Sequence, residues 1–178
     1  TDISWQSSLK SGAQSAVIST RAPADMELDL TSNTPILTCI QAITITDGAI
    51  DKLNLQLPPG YGHPEITGLD ENGRAVIQPG NISMSKDDST ASISFAKQIR
   101  RSMTLTIVMG LQETAFPQNV SVSVPALEGV ASQSAKVTIR KPTGLDVRTS
   151  FPPGQPIRRS QVASQSDDRS ESLAFDLL

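Results

Sequence analysis

Met103-Thr104-Leu105-Thr106-Ile107-Val108-Met109 is the stretch whose reading decides the fold. In an extended chain successive side chains point to opposite faces, so Met103, Leu105, Ile107 and Met109 share one face, opposite Thr104, Thr106 and Val108. The same period of two runs outward in both directions. Met26, Leu28 and Leu30 alternate with Asp25, Glu27 and Asp29, and Leu53, Leu55 and Leu57 alternate with Lys52, Asn54 and Gln56. Ile93 and Phe95, Val120, Val122 and Val124, and Val137 and Ile139 repeat the pattern against Ser, Thr and Lys. Each is the signature of a strand with one wet and one dry face.

Turn residues punctuate these runs. Asp47-Gly48 reads as a tight hairpin turn, because glycine accepts the positive φ that such a turn requires. Glu71-Asn72-Gly73 reads as a second hairpin, Pro79-Gly80 and Lys86-Asp87-Asp88-Ser89 as further turns, and Pro58-Pro59-Gly60 as a hard stop. Ala96 to Arg101 fits either one helical turn or a loop between strands. Strands spaced in this way predict an all-β fold, an antiparallel β-sandwich. The expected organisation is a sandwich body over 1–149, a long polar loop or linker over 150–172, and a strand over 173–178 that returns to pack on the body. Leu173, Phe175 and Leu177 carry that last expectation, since they share one face at period two. The buried face is expected to hold Leu28, Leu30, Leu53, Leu55, Leu57, Phe95, Leu105, Ile107, Val122 and Ile139.

Charge and cysteine content narrow the function classes. Lys and Arg total 15 against 18 Asp and Glu, without the basic excess of a nucleic-acid binder. No apolar run is long enough for a membrane-spanning helix. The single cysteine, Cys39, forms no intrachain disulfide; its place in Ile36-Leu37-Thr38-Cys39-Ile40 predicts a buried, unreactive thiol. Abundant Ser and Thr with few aromatics suit an extracytoplasmic β-protein: periplasmic, cell-surface or secreted. The chain opens at Thr1 and shows no signal-peptide pattern, the expectation for a fragment or a mature product.

Catalytic and metal-binding patterns are missing. The lone histidine, His63, stands in Gly62-His63-Pro64 after the proline-rich turn, and no G-x-S-x-G elbow accompanies it. One His and one Cys do not make a transition-metal cage without carboxylates. The acidic groups Asp25/Glu27/Asp29, Asp70/Glu71, Asp87/Asp88 and Asp167/Asp168 do not follow a calcium loop. Trp5, Tyr61 and four Phe are few rings for a sugar-stacking cleft; Trp5 reads as packing, and Tyr61 is the aromatic expected near the surface. No catalytic, cofactor-binding or metal-ligating residue is therefore assigned.

The run from Ile43 to Leu111 has a recognisable order. Asp47-Gly48 leads into Leu53-Asn54-Leu55-Gln56-Leu57-Pro58-Pro59-Gly60-Tyr61, then Ile66-Thr67-Gly68, Ala75-Val76-Ile77, Ile93-Ser94-Phe95 and Leu105-Thr106-Ile107. With Val124-Pro125-Ala126-Leu127-Glu128-Gly129-Val130, Lys136-Val137-Thr138-Ile139, Gly144-Leu145-Asp146-Val147 and Leu173-Ala174-Phe175, it resembles β-sandwich repeat segments of large, uncharacterised bacterial envelope or secreted proteins. The resemblance covers most of residues 36 to 178. It departs at Ser134-Ala135, where those segments often carry a glycine, and it brings no functional residues with it. It implies a non-catalytic structural or protein-interaction module of a larger extracytoplasmic protein, its partners being other domains of that protein or envelope proteins. A glycan- or calcium-binding sandwich is the alternative. Exposed sheet edges would offer a route to partners by strand addition.

Overall fold

A computed structural model describes residues 16–20, 22–112, 120, 122–130, 133–150, 157–160 and 170–177, without the side chains of His63, residues 157–160 and Leu177. Trp5, Asp167, Asp168 and Leu178 lie outside the described residues, as does the His63 ring. The alternating segments become strands: β1 (Val17–Ser19), β2 (Ala24–Asp29), β3 (Ile36–Asp47), β4 (Ile50–Gln56), β5 (Tyr61–Asp70), β6 (Ile82–Met84) and β7 (Thr90–Ile99). They continue as β8 (Ser102–Leu111), β9 (Ala126–Leu127), β10 (Ala135–Pro142), β11 (Ile157–Ser160) and β12 (Ser170–Leu177). A single 3-10 turn at Pro79–Asn81 is the helical structure among the described residues.

These strands form two sheets, mostly antiparallel, in a β-sandwich. Among the described residues the larger has eight strands in the order β11-β12-β10-β2-β3-β8-β5, with β1 also on β3, and the smaller has four, β6-β7-β4-β9. Among the described residues the one parallel pair joins β10 to β2, running from Ala135 opposite Ala24 to Arg140 opposite Asp29. Parallel neighbours need a long crossover, and here more than a hundred residues in both sheets provide it.

One core fills the space between the sheets. Met26, Leu37, Ile43, Leu105, Ile107 and Met109 from the large sheet meet Leu53, Leu55, Ala91, Ile93 and Phe95 from the small one. At Gly68 a Cβ would stand 2.7 Å from Ile77 Cδ1 and 2.9 Å from Met103 Cε, so a larger residue there would push the tips of those two side chains aside. Nearly all of the expected core is buried, and Val122 is the departure. It is half-buried, packed against the core from irregular chain rather than from a strand. Pro125 follows, with no N–H for a ladder, and the strand that begins beyond it has only two residues.

Asp47-Gly48 is a turn, with Gly48 at φ 75°, but it is not a hairpin. β3 pairs with β1, β2 and β8, whereas β4 pairs with β7 and β9, so this turn carries the chain from one sheet to the other. Glu71-Asn72-Gly73 is the local hairpin expected of it: the Val76 N–H donates to the Gly68 carbonyl at 2.9 Å, and Gly73 takes φ 74°. Ala96 to Ile99 continue β7, and Arg100 and Arg101 turn the chain into β8.

The C-terminal strand begins at Ser170 and lies between β10 and β11. Phe175 is buried opposite Val137, and Leu173, opposite Ile139, is partly buried against the core. Within the expected polar loop, Ile157–Ser160 pair with β12 from Ile157 opposite Leu177 to Ser160 opposite Ala174.

Candidate interaction surface

The inward face of the large sheet is closed by the small sheet, which leaves its outward face as the broad regular surface. Strand register sorts that face into rows. Lys136, Asp25, Ile40, Thr106 and Thr67 form one row across β10, β2, β3, β8 and β5. Thr138, Glu27, Thr38, Val108 and Glu65 form the next, and Arg140, Asp29, Ile36, Gly110 and Gly62 a third. The β10–β2 half is charged with alternating sign. The β3–β8–β5 half carries threonine and aliphatic side chains with Glu65 as its charge. Ile36, Ile40 and Leu69 stand 37%, 42% and 46% exposed there, so that half combines low charge with exposed apolar area.

A shallow open depression marks the border between the halves, lined by Asp25, Glu27, Thr38, Ile40, Lys136 and Thr138. Its carboxylates do not converge on a cation. Arg140 lies 4.0 Å from Glu27, an exposed pair of small energetic weight. Asp29 accepts from the Thr31 N–H at 2.8 Å and the Thr31 hydroxyl at 2.6 Å. Partial burial works against its ionisation, but those two bonds and the Arg140 charge outweigh it and hold the carboxyl below its ordinary range.

Asp70 and Asp87 cap turns. Asp70 accepts from the Asn72 and Arg74 amides at 2.8 and 2.9 Å, folding the hairpin over itself. Asp87 is held down to about 2, first by Ser85 and then by Ser89, whose hydroxyl donates to it at 2.9 Å. Among the described residues no group of three or more His, Cys, Asp or Glu gathers in metal-binding range.

Cys39 is 1% exposed on the inner face of β3, and burial, with a smaller contribution from the Asp25 charge, pushes its thiol up to about 12. Such a group is protonated at neutral pH and walled off from reagents. Tyr61, expected near the surface, is instead buried at 5% exposure, and burial raises its hydroxyl to about 12. Its place as the first residue of β5, directly after the Pro58-Pro59-Gly60 stop, turns the ring into the sandwich. The backbone of His63 runs within β5, where the register slips between Gly62 and Glu65. Pro64 supplies no N–H to the ladder there, which accounts for the irregularity.

Two polar groups escaped the sequence reading. Gln41 and Lys141 are buried on the inner face of the large sheet. Gln41 Nε2 donates to the Ala22 and Ala42 carbonyls at 3.2 and 3.1 Å. Lys141 Nζ donates to the Leu145 carbonyl at 2.8 Å and to Glu171 at 2.6 Å, across the register pair that joins β10 to β12. Period two from Val137 and Ile139 already placed Lys141 inward; that signal demands a partner for a buried ammonium.

The sheet edges are poor sites for strand addition. β6 and β9 have three and two residues, β11 has four with Arg158 and Arg159 among them, and Ala75 bridges to Leu69 on the free side of β5. Short, charged or covered edges resist pairing with another chain.

No family model matches the chain, and no curated protein matches it. Its fold is similar to that of an M1 zinc metallopeptidase from Deinococcus radiodurans, with a TM-score of 0.51, 12% identity, and coverage of 93% of this chain and 40% of that one. It is likewise similar to Legionella pneumophila aminopeptidase A in complex with aspartic acid, with a TM-score of 0.53, 11% identity, and coverage of 94% and 22%. The chain thus spans less than half the length of these structures, and the likeness is one of β-rich domain fold.

Proposed function

We propose that this chain is a non-catalytic structural or interaction module of a larger protein. The observation that carries the reading is the asymmetric coverage: almost all of this chain overlays 40% of one peptidase chain and 22% of another. A fold that recurs as a minor part of longer chains is suited to work beside other domains. The outward face of the large sheet supports this, since its threonine and aliphatic half offers area for packing and little chemistry for turnover.

The abundance of Ser and Thr and the likeness to envelope-protein segments favour an extracytoplasmic setting and partners within the same protein or the envelope. A second reading takes the neighbouring domain to be a peptidase, zinc-dependent like the Deinococcus metallopeptidase, and is favoured by the likeness to that protein and to the Legionella aminopeptidase. The test compares the isolated chain with the chain joined to its natural flanking sequence, on ester, peptide and glycoside substrates. The isolated chain is expected to be inert, whatever the longer protein does. Turnover by the isolated chain, abolished by one substitution that leaves the fold intact, overturns the proposal. Chelator-sensitive peptidase activity confined to the longer protein selects the second reading.

A further inference from the structure

Asn72-Gly73 stands at the tip of the hairpin that leaves β5, where Glu71 to Ala75 are all exposed. Asn72 is the one asparagine of the chain that precedes glycine; Asn33, Asn54, Asn81 and Asn119 precede Thr, Leu, Ile and Val. That pairing carries a chemistry of its own. The side-chain carbonyl carbon of an asparagine can close a five-membered ring with the next backbone nitrogen, and a following glycine has no Cβ to crowd the approach. Nothing lies within 4 Å of the place where a Cβ would stand at Gly73, so no neighbouring segment shields that side. The turn itself opposes the reaction. The Gly73 N–H donates to the Asp70 carbonyl at 3.0 Å, with Gly73 at φ 74°. Asp70 Oδ1 accepts from the Asn72 and Arg74 N–H groups at 2.8 and 2.9 Å, fixing the amides on both sides of that nitrogen. The Gly73 nitrogen is free to reach Asn72 Cγ only when these bonds open, so the rate follows the population of the opened turn.

We propose that Asn72 is a site of spontaneous deamidation whose pace is set by Asp70. The Gly73 nitrogen bonds to Asn72 Cγ, the Cγ–Nδ2 bond breaks, and Nδ2 leaves as ammonia with the proton from Gly73. Water then opens the cyclic imide at either carbonyl, giving aspartate or isoaspartate. In isoaspartate the main chain runs through the former side chain and gains one carbon between residues 72 and 73. A turn closed by one hydrogen bond from Gly73 back to Asp70 does not keep its geometry with that extra atom. The same hairpin lays Ala75 against Leu69 and holds the Val76 N–H on the Gly68 carbonyl, over the free side of β5. Isoaspartate at residue 72 therefore loosens the cover on that end of the large sheet.

The test follows the full chain, and a synthetic peptide running from Ile66 to Ile77, through incubation in warm, mildly alkaline buffer. Peptide mapping and an isoaspartate assay give the product at residue 72. Both are expected to convert Asn72 to the acid, the folded chain at least about tenfold more slowly, because its turn must open first. Asp70→Ala should bring the rate of the folded chain towards that of the peptide. Asp70→Asn keeps a weaker acceptor and should fall between; it carries the comparison should Asp70→Ala fail to fold. Asn72→Gln should abolish acid formation at this position, since its carbonyl lies one carbon further from the Gly73 nitrogen. In the isoaspartyl fraction the Val76 amide should exchange hydrogen faster than in the fresh chain. An unaltered chain that keeps Asn72 intact long after the peptide has converted overturns the site. A folded chain that reacts as fast as the peptide, or folded Asp70 variants that react no faster than the unaltered chain, overturn the role of Asp70. Unchanged exchange at Val76 overturns the loosening of the hairpin.

Discussion

Residues on the two faces of the large sheet have opposite fates, and that contrast is testable. Leu105 is 1% exposed between the sheets, and Leu105→Ala should destabilise the chain by about 2–5 kcal/mol in denaturant unfolding. Ile40 is 42% exposed on the outward face, and Ile40→Thr should change stability by no more than about 0.5 kcal/mol. Cys39, beside Ile40 but inward, should react with a thiol reagent only at the rate of unfolding; rapid labelling of the native chain would contradict its burial. Acid stability gives a second residue-level check. The folded chain holds Asp87 down to about 2 from an ordinary 3.8, so its stabilising contribution is complete above 3.8 and lost as the pH falls through about 2. Asp87→Asn should therefore show a smaller loss of stability between those pH values than the unaltered chain. The Cys39 environment was legible from five letters of sequence, because an apolar run in a strand leaves a thiol no cationic neighbour. The burial of Tyr61 was not, because a Pro-Gly turn locates the chain at the surface without saying which way the next side chain points.

At the scale of the element, period two identified most strands and left their partners open. Asp47-Gly48 shows why. A tight turn with positive φ serves equally to fold two strands together or to carry the chain between sheets, and the choice rests on distant partners: β8 for β3, β7 for β4. The parallel match of β10 with β2 is likewise a long-range event with no local mark. The C-terminal strand is more legible, because Leu173 and Phe175 have nowhere else to be dry. Truncation before Ser170 would strip β10 of one of its two neighbours, uncover the face that Phe175 fills, and leave Lys141 without Glu171. The truncated chain is expected to melt at a lower temperature and to bind a hydrophobic dye. A chain that melts unchanged would show that β12 contributes nothing to the body.

The described residues form two sheets on one core, with a broad outward face that carries Glu65 among threonine and aliphatic side chains on one half and alternating charges on the other. All-β composition, the absence of a basic excess and the scarcity of site-forming residue types were legible from the sequence. The division into an eight-stranded and a four-stranded sheet was not, because alternation reports that a face is dry without naming the layer that covers it. A module that works inside a larger protein must first hold together by itself, and scanning calorimetry of the isolated chain tests that most directly. The account predicts one reversible transition in which the calorimetric and van 't Hoff enthalpies agree, at about 100–125 kcal/mol near 60 °C. A chain with no cooperative transition, or one whose van 't Hoff enthalpy falls to half the calorimetric value, would contradict it.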